Sequence, residues 1–411
     1  MATLNSLLYL SNGNLPSKMA HTIQIAKMGQ ALSQQLEDFE LVTGGDVRST
    51  FKGMDAEFQD WYGLHCNYKL VRLPTHIKVN YPFPPDYYNP RFFKLAVLYA
   101  CLKSPSLVYT RAPEIVELLL KMGIPVLWEK HELIDENSPC CNFFADKNFI
   151  GFITISPQLV EQYVKHGLSS NKALFVHSGV DLKNFLPHQP KDLARQKLSL
   201  PQDEKIVVYS GHLYEFKGIP TLLETACLLP EYKFVFVGGW ANDINRVKEE
   251  CKNLNLRNIN IVGHVAQSEL ASYLYAADVL ILPTSKHWLL SQTTSPLKLF
   301  EYMAIKRPIV ASALPTIKTV LRDRENALLA QPDEPLAFKQ AIVQLFENPT
   351  LASTIAERAF QEVHNFTWES RVERILQFAT PRLQKVNESV SSPRINLMRY
   401  IKCYLKPKLV L

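Results

Sequence analysis

The chain has 411 residues, 47% of them hydrophobic and 20% charged, with 15 Gly against 26 Pro. That balance excludes a disordered, collagen-like or low-complexity protein, and the length allows two or three domains of about 100–200 residues, each with its own core. The net charge of +6 sits at one end: residues 381–411 carry seven Lys or Arg against the single Glu388, so the other 380 residues balance to zero and offer no basic stripe for nucleic acid.

Periodicity predicts a β/α alternation in the first half. It runs through Leu7–Leu10, a helix near Lys18–Gln35, Phe39–Thr43, Lys69–Leu73, Ser106–Tyr109, Pro113–Met122, Pro125–Trp128 and Phe149–Ile155. Residues 183–204 hold Pro187, Pro190 and Pro201 without a clear period and read as a linker. The alternation resumes with Lys205–Tyr209, Ile219–Leu228, Tyr232–Val237, Asp243–Leu254, Asn258–Val262, Ser268–Ala276, Val279–Leu282, Pro296–Ile305, Pro308–Ala311 and Ala327–Ala330. Three helical patterns follow, to about Ala379. Strands spaced by helices of this length imply an α/β protein with two parallel, doubly wound sheets, whose ligands bind at the carboxyl ends of the strands.

The seven cysteines (Cys66, Cys101, Cys140, Cys141, Cys227, Cys251 and Cys403) include no C-x-x-C pair. Met1–Tyr9 lacks the basic-then-apolar order of a secretory signal, and even the apolar stretch Phe92–Leu102 carries Lys94. A cytoplasmic protein is expected, its membrane contact, if any, peripheral. No Asp-x-Asp pair occurs, and Cys and His show no zinc spacing, so no metal site is expected.

Two lysines break local rules. Thr294-Ser-Pro-Leu-Lys298 reads as a helix start with a hydroxyl cap and Pro at the first position, which puts Lys298 against the positive end of the helix dipole at a cost of about 0.3–1 kcal/mol. Lys217, in Gly211–Pro220, meets another helix start. Either both point to solvent, or two helix N-termini and two ammonium groups together form a phosphate site.

The string Ser295-Pro-Leu-Lys-Leu-Phe-Glu-Tyr-Met-Ala304, followed by Pro308–Ser312, resembles the donor-binding signature of the retaining GT-B glycosyltransferases of the sucrose synthase and glycogen synthase type, family 4. Further segments resemble that family in order: Ser178–Leu182 with Phe185, Gly211–Gly218, Val237–Gly239, Ile261–Gly263, Ala277–Pro283, Asn326–Leu329 and Phe366–Glu369. In the first half Trp128–Glu132 and Ile155–Pro157 agree as well. The resemblance spans roughly residues 5–379.

It implies the GT-B architecture, two Rossmann-like domains facing across an interdomain cleft. Residues 1–182 would form the acceptor-side domain, 183–204 the linker, 205–365 the nucleotide-sugar domain and 366–411 a crossing helix with a basic tail. The implied activity is transfer of a sugar from a nucleotide diphosphate sugar to an acceptor hydroxyl with retention, in glycan, polysaccharide or glycolipid synthesis, with no other cofactor.

By the same resemblance Lys298 and Lys217 hold the donor diphosphate, Glu301 accepts the ribose hydroxyls, and His131 stands near the reacting sugar. Gly211, His212, Gly239, Thr293, Ser295 and Leu297 complete the donor site. The sequence departs from the family at Thr293, where a glutamate is usual, and at His212, where an arginine is usual. An inverting transferase, a sugar-nucleotide epimerase and a nucleotide-sugar-binding partner subunit remain alternatives.

Lys18, beside Gly13 in the loop after the first strand, is a candidate phosphate or acceptor contact. The segment His76–Pro90, with Tyr81, Phe83, Tyr87 and Tyr88, reads either as an acceptor platform or as a rigid loop. Residues 393–411 form a basic amphipathic pattern that either lies on an anionic membrane surface or docks on the fold.

Overall fold

The computed structural model describes residues 4–12, 15–17, 19–46, 53–76, 90–134 and 143–387. The chain forms two compact units: Met1–His177 with Trp368–Leu411, and Ser178–Thr367.

The first unit contains β1 (Ser6–Leu10), α1 (Ala20–Gln35), β2 (Asp38–Asp46), α2 (Ala56–Tyr62), β3 (Lys69–His76), α3 (Pro90–Lys103), β4 (Leu107–Thr110), α4 (Pro113–Lys121), β5 (Val126–Glu129), β6 (Phe149–Thr154), α5 (Pro157–Lys165) and β7 (Ala173–Phe175). The strands form one parallel sheet in the order β3-β2-β1-β4-β5-β6-β7. The register pairs Leu7 with Leu107 and Leu127 with Gly151. Helices cover both faces, so β4, β5 and β6 are buried along their whole length and read as unbroken apolar runs.

The second unit contains α6 (Lys191–Lys197), β8 (Lys205–Ser210), α7 (Ile219–Cys227), β9 (Tyr232–Val237), α8 (Ala241–Asn253), β10 (Ile259–Gly263), α9 (Gln267–Ala276), β11 (Val279–Leu282), α10 (Leu297–Met303), β12 (Ile309–Ser312), α11 (Pro315–Lys318), β13 (Leu328–Ala330), α12 (Pro335–Glu347) and α13 (Pro349–Glu362). Its parallel sheet has the order β10-β9-β8-β11-β12-β13. Both sheets reverse their winding once, between β1 and β4 and between β8 and β11. Such a reversal opens a crevice beyond the carboxyl ends of the two strands, because their following loops diverge to opposite faces.

Residues 183–204, read from the sequence as a linker, include a helix. They fold onto the second unit through α6, whose Arg195 is 1% exposed and is surrounded by acceptors. Its Nε donates to the Ala276 carbonyl at 2.9 Å, Nη1 to the carbonyls of Gln202 at 2.7 Å and Glu204 at 3.1 Å, and Nη2 to Asp278 at 2.6 Å. A buried guanidinium satisfied on every edge overrides the local turn signals.

The helices α2 and α5, absent from the periodicity reading, have ordinary caps: Asp55 accepts from the Phe58 amide and Ser156 from the Leu159 amide. The last helix, α14 (Trp368–Asn387), belongs to the first unit. It lays Trp368, Val372, Ile375, Ala379 and Leu383 into the core. Among the described residues no helix is long and apolar enough to cross a membrane.

Gly151 on β6 makes the seat for α14 because a Cβ there would stand 2.5 Å from the Phe378 ring and 2.9 Å from the Lys172 carbonyl. Gly151→Ala is therefore expected to destabilise the protein by about 1–3 kcal/mol through overpacking. The measurement is the shift of the urea midpoint at unchanged m-value; an unchanged midpoint would show that α14 yields at no cost.

Candidate functional site

In the second unit the reversal point gathers the loop after β8, the loop after β11 and the start of α10. The chain leaves β8 at Gly211, whose φ of +123° favours glycine. A Cβ at Gly211 would lie 2.8 Å from the Lys298 ammonium. Gly238, at the end of β9, is as tight, since its Cβ would meet the Gly211 carbonyl at 2.5 Å. Gly239 packs on Leu213, where a Cβ would come within 2.8 Å.

Lys298 is the second residue of α10, and its Nζ stands 4.0 Å from the centre of the Tyr209 ring. The helix is fixed to the end of β8 by the Tyr302 hydroxyl, which accepts from the Ser210 amide at 2.8 Å. The expected hydroxyl cap of α10 does not form. Pro296 is the capping residue, and no side chain caps the first turn. The Ser295 hydroxyl instead accepts from the Ser178 amide at 3.2 Å, while the Ser178 hydroxyl donates to the Ser295 carbonyl at 3.2 Å. Leu297 opens the helix half-buried, and Leu299, Phe300, Tyr302 and Met303 form its core face.

Lys217 ends a single 3-10 turn at Glu215–Lys217 and precedes α7. Gly218 makes that junction, with φ +83° and the Pro283 carbonyl 1.8 Å from where a Cβ would stand. The Lys217 Nζ lies 3.7 Å from the centre of the Trp288 ring and 5.4 Å from that of Phe216. Burial lowers its pKa to about 8.

Burial, and then the charge of Lys217, hold the Lys298 ammonium well below the usual lysine range, with Glu301 opposing. His212 is also lowered, first by burial and then by Lys298 and Lys217. Desolvated cations gathered at one strand end favour a polyanion, which would raise each of them again.

His212 does not reproduce an arginine fork. Its ring is stacked on Tyr214, at 5.0 Å and 15°, and on Trp240, at 5.5 Å and 18°, and Trp240 Nε1 donates to the Tyr214 hydroxyl at 3.0 Å. Phe216 and Trp288 continue the series, with Tyr214–Phe216 at 5.1 Å and Phe216–Trp288 at 5.1 Å. The sequence reading missed this five-ring wall, although rings at 212, 214 and 216 recur at every second position of the loop after β8. Thr293 is 2% exposed, and its amide donates to the Leu290 carbonyl at 3.0 Å. Thr293 thus serves the β11–α10 loop itself.

In the first unit a cavity of 230 Å³ lies beyond β1, β4 and β5, lined by Ser11, His21, Arg111, Glu129, Lys130 and His131 among others. His131 Nε2 lies 2.5 Å from Glu129 Oε1, and its Nδ1 lies 3.0 Å from Arg111 Nη2. Gln24 of α1 bridges the other side: its amide donates to Glu129 Oε1 at 3.1 Å, and its carbonyl accepts from Arg111 Nη1 at 3.2 Å. Arg371 of α14, 2% exposed, donates to the same Glu129 oxygen at 2.9 Å. The sequence reading also missed Arg371, whose signal is a charge set inside the apolar stripe of Trp368, Val372 and Ile375.

Lys18 and the segments 77–89 and 393–411 lie outside the described residues. Among the described residues no three His, Cys, Asp or Glu side chains are grouped to hold a metal ion.

Residues 190–362 match the family of glycosyl transferases group 1. The chain is 25% identical over 245 residues to D-inositol 3-phosphate glycosyltransferase 1 of Catenulispora acidiphila, covering 56% of each chain. It is 27% identical over 252 residues to D-inositol 3-phosphate glycosyltransferase of Thermomonospora curvata, covering 57% of this chain and 56% of that one. The match thus spans about half the length of these curated relatives.

Among solved structures, sucrose-phosphate synthase from Thermosynechococcus elongatus aligns over 94% of this chain and 100% of its own, with a TM-score of 0.71 and 21% identity. HepE of Anabaena in complex with UDP aligns over 92% of this chain and 100% of its own, with a TM-score of 0.69 and 14% identity. The second unit thus resembles the group 1 glycosyl transferases over residues 190–362, and the chain shares the GT-B fold of these solved structures.

Proposed function

We propose that the protein transfers a sugar from a nucleotide diphosphate sugar to an acceptor hydroxyl with retention of configuration. The observation that carries this reading is the pair of partly desolvated lysines, Lys298 and Lys217, gathered at the carboxyl end of β8 by glycines that leave room for nothing larger. Two such ammonium groups stabilise a departing diphosphate, and charge placed in advance is usually the largest catalytic contribution. Glu301 accepts the ribose diol, and the aromatic wall bearing His212 borders the donor.

In the transfer, the acceptor oxygen bonds to the anomeric carbon as the bond from that carbon to the diphosphate oxygen breaks. The acceptor proton passes to the departing diphosphate. The lysines neutralise the leaving group, so the reaction proceeds without a metal and without a further cofactor. UDP-glucose, which a solved neighbour, Anabaena HepE, holds in one of its crystal structures, is the first donor to try. In this reading the enzyme works on the cytoplasmic side, with the basic segment 393–411 meeting anionic lipid near a lipid-linked or glycan acceptor. Loss of vesicle binding on deleting that segment is its check; unfolding on deletion would mark the segment as docked on the fold.

A second reading, a nucleotide-sugar-binding subunit of weak activity, is favoured by the buried Thr293 in place of a carboxylate. Donor binding without turnover or hydrolysis separates it from the first. An anomeric inversion in the product would replace the retaining mechanism.

Lys298→Ala is expected to lower UDP release from UDP-glucose by about a hundredfold or more, the equivalent of roughly 3 kcal/mol of leaving-group stabilisation. Wild-type turnover in the folded variant would remove the phosphate assignment. Chelator should leave the rate unchanged; a strict need for added metal would contradict the scheme.

The lysine titration gives a further test. With its pKa lowered to about 8, Lys217 is partly neutral in mildly alkaline solution, and a bound diphosphate draws a proton back onto it. UDP affinity is therefore expected to fall as pH rises through about 8, with proton uptake on binding. Calorimetry in buffers of different ionisation heats reads that uptake directly, and zero uptake at pH 8.5 would place Lys217 away from the phosphates.

A further inference from the structure

The contacts around Glu129 close into a ring whose hydrogen-bond directions are all fixed. A guanidinium only donates, so His131 Nδ1, 3.0 Å from Arg111 Nη2, is an acceptor and carries no proton. The proton of a neutral imidazole is then on Nε2, which donates to Glu129 Oε1 at 2.5 Å. Gln24 fits the same polarity, its carbonyl toward Arg111 and its amide toward Glu129. Arg371 completes the arrangement, with Nη2 on Glu129 Oε1 and Nη1 on the carbonyls of Val176 and His177. The Glu129 side chain is 1% exposed, as is that of Arg371.

We propose that Glu129 and Arg371 are positioning residues that lock His131 as a neutral Nε2–H imidazole with both nitrogens occupied, so that the ring acts as a mount for the Arg111 guanidinium at the cavity and takes no proton from a substrate. A second proton on His131 would have to sit on Nδ1, facing the Arg111 N–H groups, and that opposition forbids it. The same sign follows from the surrounding charges: burial and Arg111, then Arg371, lower the His131 pKa to about 4, while Glu129 raises it. The other titratable groups around this cavity are Tyr9 of β1, His21 of α1, Glu114 of α4, and Lys130 and Glu132 of the His131 segment. His177, beside Arg371, is lowered to about 4 as well, by burial and then by Arg371.

This inference deepens the transfer reading, because it routes the acceptor proton to the departing diphosphate and away from His131. Its test does not depend on turnover. In full-length protein with 13C- and 15N-labelled histidine, the His131 signal, assigned by its loss in His131→Gln, is expected to show the Nε2–H pattern and to stay constant from pH 5.5 to 8.5.

Arg111→Met frees Nδ1 beside a carboxylate, so its His131 pKa is expected to rise by roughly one unit or more and titrate in that window. Arg371→Met should raise it as well, and Arg371→Lys should keep it silent. Should Arg371→Met fail to fold, the wild type, Arg111→Met and Arg371→Lys still decide. A titrating wild-type His131, an Nδ1–H pattern, or a signal that stays silent in Arg111→Met would overturn the lock. Donor turnover, measured separately on the wild type, shows whether the transfer reading stands when the lock does not.

Discussion

Lys298 stands over the Tyr209 ring only because Gly211 has no side chain, and the character of the second unit follows from that single approach. An ammonium placed there has lost much of its water, faces the start of a helix and shares its surroundings with a second cation. Each of these costs free energy in isolation, and together they make sense as a site whose charge is balanced by a bound polyanion. The neighbouring parts are arranged to keep it so. Tyr302 ties α10 to the end of β8, Gly218 lets the loop pass under the Pro283 carbonyl, and the aromatic wall holds Lys217 against Trp288. A Cβ at Gly218 would meet the Pro283 backbone, whereas one at Gly211 would displace the Lys298 ammonium.

The first unit solves a different problem at the corresponding place. One carboxylate oxygen, that of Glu129, takes hydrogen bonds from Gln24, His131 and Arg371. These come from α1, from the loop after β5, and from a helix more than 240 residues further along the chain. The buried Arg371 guanidinium and His131 hold the Glu129 carboxyl below its usual range despite its burial, while burial and the half-buried Arg111 hold His131 below its own. The return of α14 to the first unit is thus more than the covering of an apolar face, since it delivers the charge that the Glu129 carboxylate needs.

How much of this was legible varies with the range of the interaction involved. The alternation of buried apolar runs with helical stripes located both sheets, because parallel strands covered on two faces leave a strong local pattern; Tyr232–Val237 and Val279–Leu282 agree with the structure to the residue. Lys298 and Lys217 stood out because each violates a rule of the helix it opens. The linker reading of 183–204 rested on prolines, which are local signals, whereas Arg195 within it is held by acceptors up to 83 residues away.

The sequence by itself determined the α/β class, the family resemblance and the two lysines that break the rules of their helix starts, since all three rest on spacings of a few residues along one strand or helix. It could not determine that Ser295 would spend its hydroxyl on Ser178, that His212 would stack on both Tyr214 and Trp240, or that Arg371 would reach Glu129. Those outcomes depend on which strands become neighbours and on how close two backbones come. Hydrogen-bond direction and desolvation take effect only over a few ångströms of space, so groups far apart in the chain acquired their charge state and orientation only when the tertiary structure brought them together.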